Sequence, residues 1–562
     1  MSAAIQTLNN LKQAITNAFE KAQDLGLLSK EAQIPDFTIE TPSDRSHGDL
    51  ATNAAMVSAR AFRLAPRKIA EILTSNISLD GTNLERFEIA GPGFINFFYA
   101  RSFYSAVIEE IKAEGKNYGR SNYGQGKKVL VEFVSANPTG PMHVGNARGG
   151  ALGDTLASVL DYAGYQVERE FYVNDAGNQI EKFATSLEIR YMQMYKEGYE
   201  LPEDAYHGQD IIDHAKNFAD IYGDKYVETS SEERRKALVA YALPLNIEGL
   251  ERDLLKYRIK YDNWFRESTL HNSGAVKDIV ALLTEKGHTY EKDGAVWFKA
   301  EQFGADKDFV LVRSNGLPTY VVPDIAYHYN KLVTRNFDKA IDVLGADHHG
   351  YVPRLKAALT ALGVDASRLD VVLMQMVFLV KANQRVKLSK RSGKAITLVT
   401  LLDEIPIDAA RFFFNLREAN TPLEFDLDLA VEKSSQNPVY YVQYAHARIC
   451  NIVKMLAQEN IFPTDCTESD YALLTAPEEI ELINKLSSFT EEINSSARDY
   501  DPSRITRYVY DVATLFHKFY NACRVKNENE SLMQARLALC LAVKTVISNI
   551  LEMFKIDAPE SM

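Results

Sequence analysis

Cysteine is scarce in this 562-residue chain, which carries only Cys450, Cys466, Cys523 and Cys540. Four residues so widely spaced exclude a disulfide framework and a Cys-x-x-Cys zinc site. The expectation is therefore a reduced, cytoplasmic protein without a structural metal. No uninterrupted apolar run approaches the ~18 residues of a membrane span, and the first residues lack a basic stretch followed by an apolar core, so no membrane partner is expected. Positive charge is also in deficit: 63 Lys and Arg face 76 Asp and Glu, for a formal charge of −13. That balance argues against indiscriminate nucleic-acid binding and against DNA, but leaves room for a selective RNA met by local basic patches. Two common phosphate-binding signatures, G-x-G-x-x-G and G-K-[ST], do not occur at the stretch where a nucleotide site is otherwise expected.

What is present is an ordinary globular composition, 46% hydrophobic, with length for roughly three or four domains. The chain is organised around Val129 to Gly164. A Val- and Phe-rich run bounded by GQGKK and ANPTGP reads as a short buried strand. After HVGN, residues Leu152, Leu156, Val159 and Leu160 share one helical face and Gly164 stands at the C-terminal cap position. Strand, tight turn and helix form the first half of a βαβ unit. The turn sets His143, Gly145 and free backbone N–H groups at the positive end of a helix, a ready site for phosphate.

In chain order, Ile5, Leu8, Leu11, Ile15, Phe19 and Ala22 predict an N-terminal amphipathic helix. Helices are predicted over Asp49 to Arg63 and Arg67 to Thr74, followed by a strand–turn–strand around Gly91-Pro92-Gly93. Gln166 to Val173 reads as the next strand of the nucleotide fold, with the polar NDAGNQ at its end facing a ligand crevice. From about 181 to 293 the chain is charged and helical, an expected insertion of mostly solvated helix surface. Strands are expected to resume at AVWFKA and FVLVRSNG, followed by further β-rich runs in TYVVPDIAYHYNK, AIDVLGADHHGYV and VVLMQMVFLV. Pro353 to Leu362 supplies an intervening helix. This alternation predicts a doubly wound parallel α/β sheet of Rossmann type. Beyond about Asp408 the periodicity is helical, a bundle in which Tyr440, Tyr444, Arg448, Arg504, Arg507 and Lys518 have the chemistry to stack on bases and pair with phosphates. The expected division is 1–115, a small α+β domain; 116–405, the nucleotide-binding domain; and 406–562, the α-helical bundle.

A second stretch carries chemistry. Arg385 to Lys394, RVKLSKRSGK, packs five cations, two serines and a glycine, beginning its KLSKR core 244 residues after His143 (387 minus 143). HVGN resembles the HIGH signature, and KLSKR the KMSKS loop, of class I aminoacyl-tRNA synthetases, in the right order and at opposite ends of the predicted fold. With VEFVSANPTGPMHVGNARGGALGD, YVNDAGNQ, PTYVVPDIAYH, GADHHGYVPR, ARFFFNLREANTPLEFDLDLA and NPVYYVQYAHARI added, the chain resembles bacterial arginyl-tRNA synthetases over nearly its whole length. HGDLATNAAM and GPGFINFF resemble that family's extra N-terminal domain.

The resemblance implies activation of L-arginine by ATP, as its Mg2+ complex, and transfer to tRNA(Arg) by a monomer that activates arginine only with tRNA bound. It implies that His143, Gly145, Asn146, Asp347, His348 and Ser389 hold ATP, as do Lys387 and Lys390, which clamp the leaving pyrophosphate; His143, Asn146, Lys387 and Lys390 would be the catalytic set. Ser135, Asn137 and His143 would hold the amino acid's α-amino and carboxylate end, and Glu132, Tyr320, Asp324 and Asp347 would lie toward its side chain. A guanidinium, a planar fork of five donors, suits such acceptors. Two departures stand out: Asn146 replaces the second histidine of HIGH, and GADHH stands where the family usually has a glutamine near Asp347.

Other readings compete. A compact nucleotidyltransferase for a small metabolite would not need KLSKR or the large helical C-terminus. A non-catalytic RNA-binding relative would be signalled by loss of His143 or the loop lysines, all of which are present. Within the class, missing zinc ligands argue against a cysteine enzyme, and the N-terminal domain favours arginine over glutamate or glutamine.

Overall fold

The structure is a computed structural model that describes residues 2–42, 44–386 and 396–562. At the N-terminal end, the helix Ala3–Asp24 buries Leu11, Ile15, Phe19 and Ala22, residues that recur at helical spacing. They share one hydrophobic cluster with helices Ala54–Phe62 and Pro66–Asn76 and a four-stranded sheet. Its strands are β1 (Ile39–Glu40), β2 (Leu50–Thr52), β3 (Leu84–Ala90) and β4 (Phe94–Tyr99), antiparallel in the order β1-β2-β4-β3. The helix expected from Asp49 begins only at Ala54, because the fully buried Leu50-Ala51-Thr52 pairs with β4 instead.

The sheet that positions the site is built next. It begins with β5 (Lys128–Phe133), β6 (Gln166–Val173) and β7 (Asn263–Arg266). A separate antiparallel sheet follows, β8 (Thr289–Lys292), β9 (Ala295–Phe298) and β10 (Phe309–Val312). The chain then returns to the main sheet with β11 (Lys339–Gly345) and β12 (Leu369–Met374). The five main strands are all parallel, in the order β12-β11-β5-β6-β7. From β5 the chain winds first toward β6 and later, in the other direction, toward β11, so the strand order reverses between β5 and β11. A crevice at the strands' C-terminal ends, at that reversal, is where ligands bind in such sheets.

Three sequence expectations need correction here. The 181–293 segment is not only solvated helix. Helices Asn178–Met192, Gln209–Tyr222 and Ser231–Lys256 send Phe183, Leu187, Phe218 and Leu250 into the largest hydrophobic cluster, and β7 is the outer strand of the main sheet. AVWFKA and FVLVRSNG form strands, β9 and β10, but in the separate antiparallel sheet. TYVVPDIAYHYNK is helical: Val321–Tyr329 runs into a π-helical turn, Asn330–Thr334. Val321 and Val322 favour strand locally, yet Pro323 fits a first helical turn and Val322, Ile325 and Ala326 are buried at helical spacing.

A third small sheet, β13 (Val377–Lys381), β14 (Gln384–Arg385) and β15 (Leu423–Asp426), joins the nucleotide fold to the C-terminal helices. The C-terminal helices include Pro438–Gln458, Pro477–Ser487, Phe489–Asp499, Ser503–Ala522 and Glu530–Met553. Glu530–Met553 is, by length and composition alone, apolar enough to cross a membrane. Here Leu537, Leu539, Val543, Val546 and Ile550 are buried in the bundle core.

Candidate active site

The helix Val144–Tyr162 lies flush against β5 because two of its positions have no side chain. A Cβ on Gly153 would stand 2.3 Å from the Phe133 ring, and one on Gly150 would stand 2.7 Å from Ile259. This close approach aims the helix N-terminus into the crevice. There His143 is exposed, and its backbone N–H donates to Asn146 Oδ1 at 3.1 Å. The amide of Asn146 thus closes the helix start while its Nδ2 remains a donor. A Cβ on Gly145 would press on the His143 ring at 3.3 Å, so glycine lets the imidazole lie over the turn.

Lys387, Ser389 and Lys390 lie outside the described residues. Their flanks, however, are placed. Val386 N–H donates to Leu379 O at 2.8 Å, and on the far side Thr397 forms a β-bridge with His143 while Leu398 N–H donates to Met142 O at 2.9 Å. The chain therefore re-enters the fold directly beside the HVGN turn, although the two motifs are far apart in sequence.

Between β5 and His143 the backbone is strained. Val134 and Ser135 have φ of 67° and 39°, a left-handed conformation that costs about 1–3 kcal/mol per non-glycine residue and is severe for a β-branched one. Neighbours hold it in place. Tyr261 Oη donates to Phe133 O at 2.9 Å, Ser135 Oγ donates to Glu132 Oε1 at 2.8 Å, and Tyr172 N–H donates to Ser135 Oγ at 3.1 Å. Asn246, from the helix Ser231–Lys256, donates to Pro138 O at 2.9 Å. Asn137 is exposed at the crest of the turn. Glu132 is only 6% exposed, and its second oxygen accepts from Lys331 at 2.5 Å, so both of its oxygens are engaged.

An acidic, aromatic pocket lies alongside. Tyr320 is 69% exposed at the start of Val321–Tyr329, its ring 6.1 Å from that of Tyr351. Tyr351 Oη donates to Asp324 Oδ2 at 2.5 Å. Burial pushes the Asp324 carboxyl up to about 6 against that hydrogen bond, with the Glu267 and Glu132 charges adding to the rise. The Tyr172 hydroxyl is buried without a well-formed hydrogen bond and faces Glu267 and Asp324. Glu267, 8% exposed, accepts from the Asn174 amide once that amide is oriented by its neighbours, at 3.1 Å.

Glu267 was missed in the sequence, although a signal existed. It follows β7 directly, as Asn174 follows β6, and polar residues just past parallel strands face the crevice. Assigning its segment to an insertion hid it. Asp347 and His348 occupy the turn after β11, exposed, with His348 Nε2 4.0 Å from Asp347 Oδ2. The crevice thus gathers the ends of β5, β6, β7 and β11. Among the described residues no cluster of three His, Cys, Asp or Glu side chains is arranged to hold a metal ion.

In the bundle, Tyr440 and Tyr444 stack with ring centroids 6.3 Å apart, and the Arg448 guanidinium lies 4.6 Å from the rings of Tyr444 and Tyr520. Tyr440, Tyr441, Tyr444, Arg448 and His517 line a cavity of about 330 Å³. Burial, then the Arg448 charge, pushes His517 down to about 4. Lys518 is exposed. Arg504 and Arg507 instead face acids of their own bundle, Glu492, Asp499 and Asp501.

Comparison with known proteins agrees with this geometry. The family model for the catalytic domain of class I (R) tRNA synthetases matches residues 107–453, that for the arginyl-tRNA synthetase N-terminal domain matches 9–99, and that for the DALR anticodon-binding domain matches 442–562. An arginine–tRNA ligase of Caldanaerobacter subterraneus subsp. tengcongensis is 58% identical over 98% of both chains, and one of Acetivibrio thermocellus is 52% identical over the full length of both. A solved Campylobacter jejuni structure titled a putative arginyl-tRNA synthetase covers 82% of the chain at 32% identity, with a TM-score of 0.73. The Thermus thermophilus arginyl-tRNA synthetase, at 21% identity and a TM-score of 0.76, shares the fold over 99% of the chain. The chain belongs to the class I arginyl-tRNA synthetases.

Proposed function

We propose that the chain is an arginine–tRNA ligase, which joins L-arginine to ATP as arginyl-adenylate with release of pyrophosphate and then passes the arginyl group to the 3′-terminal adenosine of tRNA(Arg). One observation carries the reading: the N-terminus of the helix Val144–Tyr162 and a pocket holding Asp324 and Glu267 open side by side into the crevice where the strand order reverses. The arginine carboxylate is already ionised near neutrality, so its attack on the α-phosphate needs no general base. Catalysis then consists of alignment and of stabilising charge on the departing phosphates.

In this reading His143, Gly145 and Asn146 cradle the triphosphate at the helix N-terminus, with Asp347 and His348 across the crevice. Lys387, Ser389 and Lys390 act on the leaving pyrophosphate. Ser135, Asn137 and His143 take the α-amino and carboxylate end, and Asp324, Tyr320 and Glu267 take the guanidinium. ATP enters as its Mg2+ complex, and no structural metal is required. The bundle, from 406 onward, reads tRNA through the Tyr440–Tyr444–Arg448 surface, and residues 1–115 add a second tRNA contact to the catalytic unit 116–405. The enzyme works as a cytoplasmic monomer, with neither DNA nor membrane as partner.

The test is pyrophosphate exchange into ATP with each of the amino acids singly, with and without bulk tRNA. Exchange with arginine alone, appearing on addition of tRNA, is the expected result. Exchange with a different amino acid would overturn the specificity, and none under any condition would overturn the activity.

A further inference from the structure

Behind the amino-acid pocket lies a set of buried charges that the reaction outlined above does not use. Lys331 is fully buried on the π-helical turn Asn330–Thr334, a geometry that often marks functional positions. Its Nζ donates to Glu132 Oε2 at 2.5 Å and to Asp342 Oδ1 at 2.8 Å, and sits 4.1 Å from the centroid of the Tyr327 ring. Asp342 Oδ2 is 2.6 Å from His328 Nε2, and His328 Nδ1 is 2.7 Å from the Asp324 carbonyl oxygen. Both imidazole nitrogens face acceptors.

The connections lead to the substrate. At one end, Glu132 Oε1 accepts from Ser135 Oγ at 2.8 Å, and Ser135 is one of the two residues held at positive φ. At the other, His328 grips the backbone of Asp324, on the helix that also carries Tyr320 at its start. Residues from β5, β11 and Val321–Tyr329 therefore meet at one ammonium group.

We propose that Lys331 is a positioning residue for amino-acid binding: by anchoring Glu132 it holds the left-handed Val134–Ser135 turn, and by anchoring Asp342 and His328 it fixes the helix that presents Tyr320 and Asp324. Glu132 then acts from behind the site, with its charge already met by a lysine. Asp324, bonded to Tyr351, and Glu267, bonded to Asn174 and 3.2 Å from His271 Nε2, face no lysine or arginine among the described residues and are the carboxylates left to meet the guanidinium. The inference rests on the arginine-activating reading given above.

The experiment is a double-mutant cycle in the full-length enzyme with tRNA present, reading the KM for arginine and for ATP separately in pyrophosphate exchange. Wild-type exchange with arginine comes first; its absence would defeat the functional reading rather than this proposal. Lys331→Met should raise the arginine KM about tenfold or more while leaving the ATP KM within about twofold. In a Glu132→Gln background the same substitution should add a clearly smaller rise than in the wild type, because the part carried through the glutamate is already lost and only the part carried through Asp342 remains. Lys331→Arg, which keeps the cation, should recover part of the loss. Equal rises in both KM values, or a Lys331→Met effect undiminished in the Glu132→Gln background, would overturn the proposal. Should Lys331→Met not fold, Asp342→Asn takes its place in the cycle, with a selective rise in arginine KM again expected and a non-selective one again fatal.

Discussion

Two of the buried charge clusters among the described residues are built in opposite ways. Around Lys331, a central cation is shared by Glu132 and Asp342, and the residues behind the pocket all come from the nucleotide fold. Around Asp154, a central anion with no exposed surface accepts from Arg411 at 2.6 Å, Lys555 at 2.8 Å and Arg169 at 3.0 Å. Asp154 sits on the helix that starts at HVGN, Arg169 on β6, Arg411 on the helix Ile407–Phe414, and Lys555 just past the last helix of the bundle. Arg411 also donates to the carbonyls of Phe554 and Tyr257. The second cluster is a staple between distant stretches of chain; Lys555 itself stands at φ 53°, but none of the residues named above for the substrates is bonded to it. Burial of charge alone therefore says little about role; what the partners are attached to decides it.

The sharpest way to break this contrast is Asp154→Ala. Three cations would be left facing one another without their anion, and removal of one member of a buried ionic set costs about 3–5 kcal/mol. Urea unfolding should show that loss, while the folded fraction keeps its KM values for arginine and ATP. Burial opposes ionisation of Asp154, but Arg411, Lys555 and Arg169 hold its carboxyl below the usual range. In the wild-type protein this contribution is present at neutral pH and should fade only as pH falls below about 4, through the depressed value.

Next in size is His143→Ala, at the end of the same helix. It should lower kcat for activation by about 10²–10³-fold, the usual consequence of losing one donor to the developing charge, with little change in the urea midpoint. A variant within threefold of wild type would remove His143 from the machinery. The pair of substitutions on one helix would then separate stability from chemistry.

Asp324 sharpens the pocket side of the comparison. Its carboxyl is raised to about 6, so protonation on the way down in pH removes the charge that meets the guanidinium. Below about pH 6 the arginine KM should rise about tenfold per pH unit, and Asp324→Asn should give a high KM that no longer depends on pH in that range. The smallest effect is expected in the bundle. Arg448→Ala should weaken tRNA binding by about 1 kcal/mol through loss of its stacking on Tyr444 and Tyr520, measured as a higher tRNA KM at unchanged arginine KM.

Much of the site was legible before the fold. The strand at Gln166–Val173 matches its expected bounds, because Phe171, Tyr172 and Val173 favour strand and the run lies between the turn signals Ala163-Gly164 and Asn174-Asp175-Ala176-Gly177. The helix after His143 was legible from its periodicity and its glycine-terminated end. Glu267 was not, since a four-residue strand in a charged, helical neighbourhood carries too little pattern to be assigned to a sheet formed some ninety residues earlier in the chain. The helix carrying Tyr320 and Asp324 read as a strand for a related reason: Val-Val is a local preference, and burial against the sheet overrode it.

By itself, then, the sequence determined the strand, turn and helix around HVGN, the two motifs and the residue types that can hold a phosphate and a guanidinium, because these depend on neighbours a few positions apart. Only the tertiary structure decided which carboxylates stay available. Glu132 and Asp324 look alike in the sequence, but Lys331, 199 residues beyond Glu132, engages the first and leaves the second to the pocket. Charge pairing of this kind depends on distances of a few ångströms between strands and turns that only folding brings together.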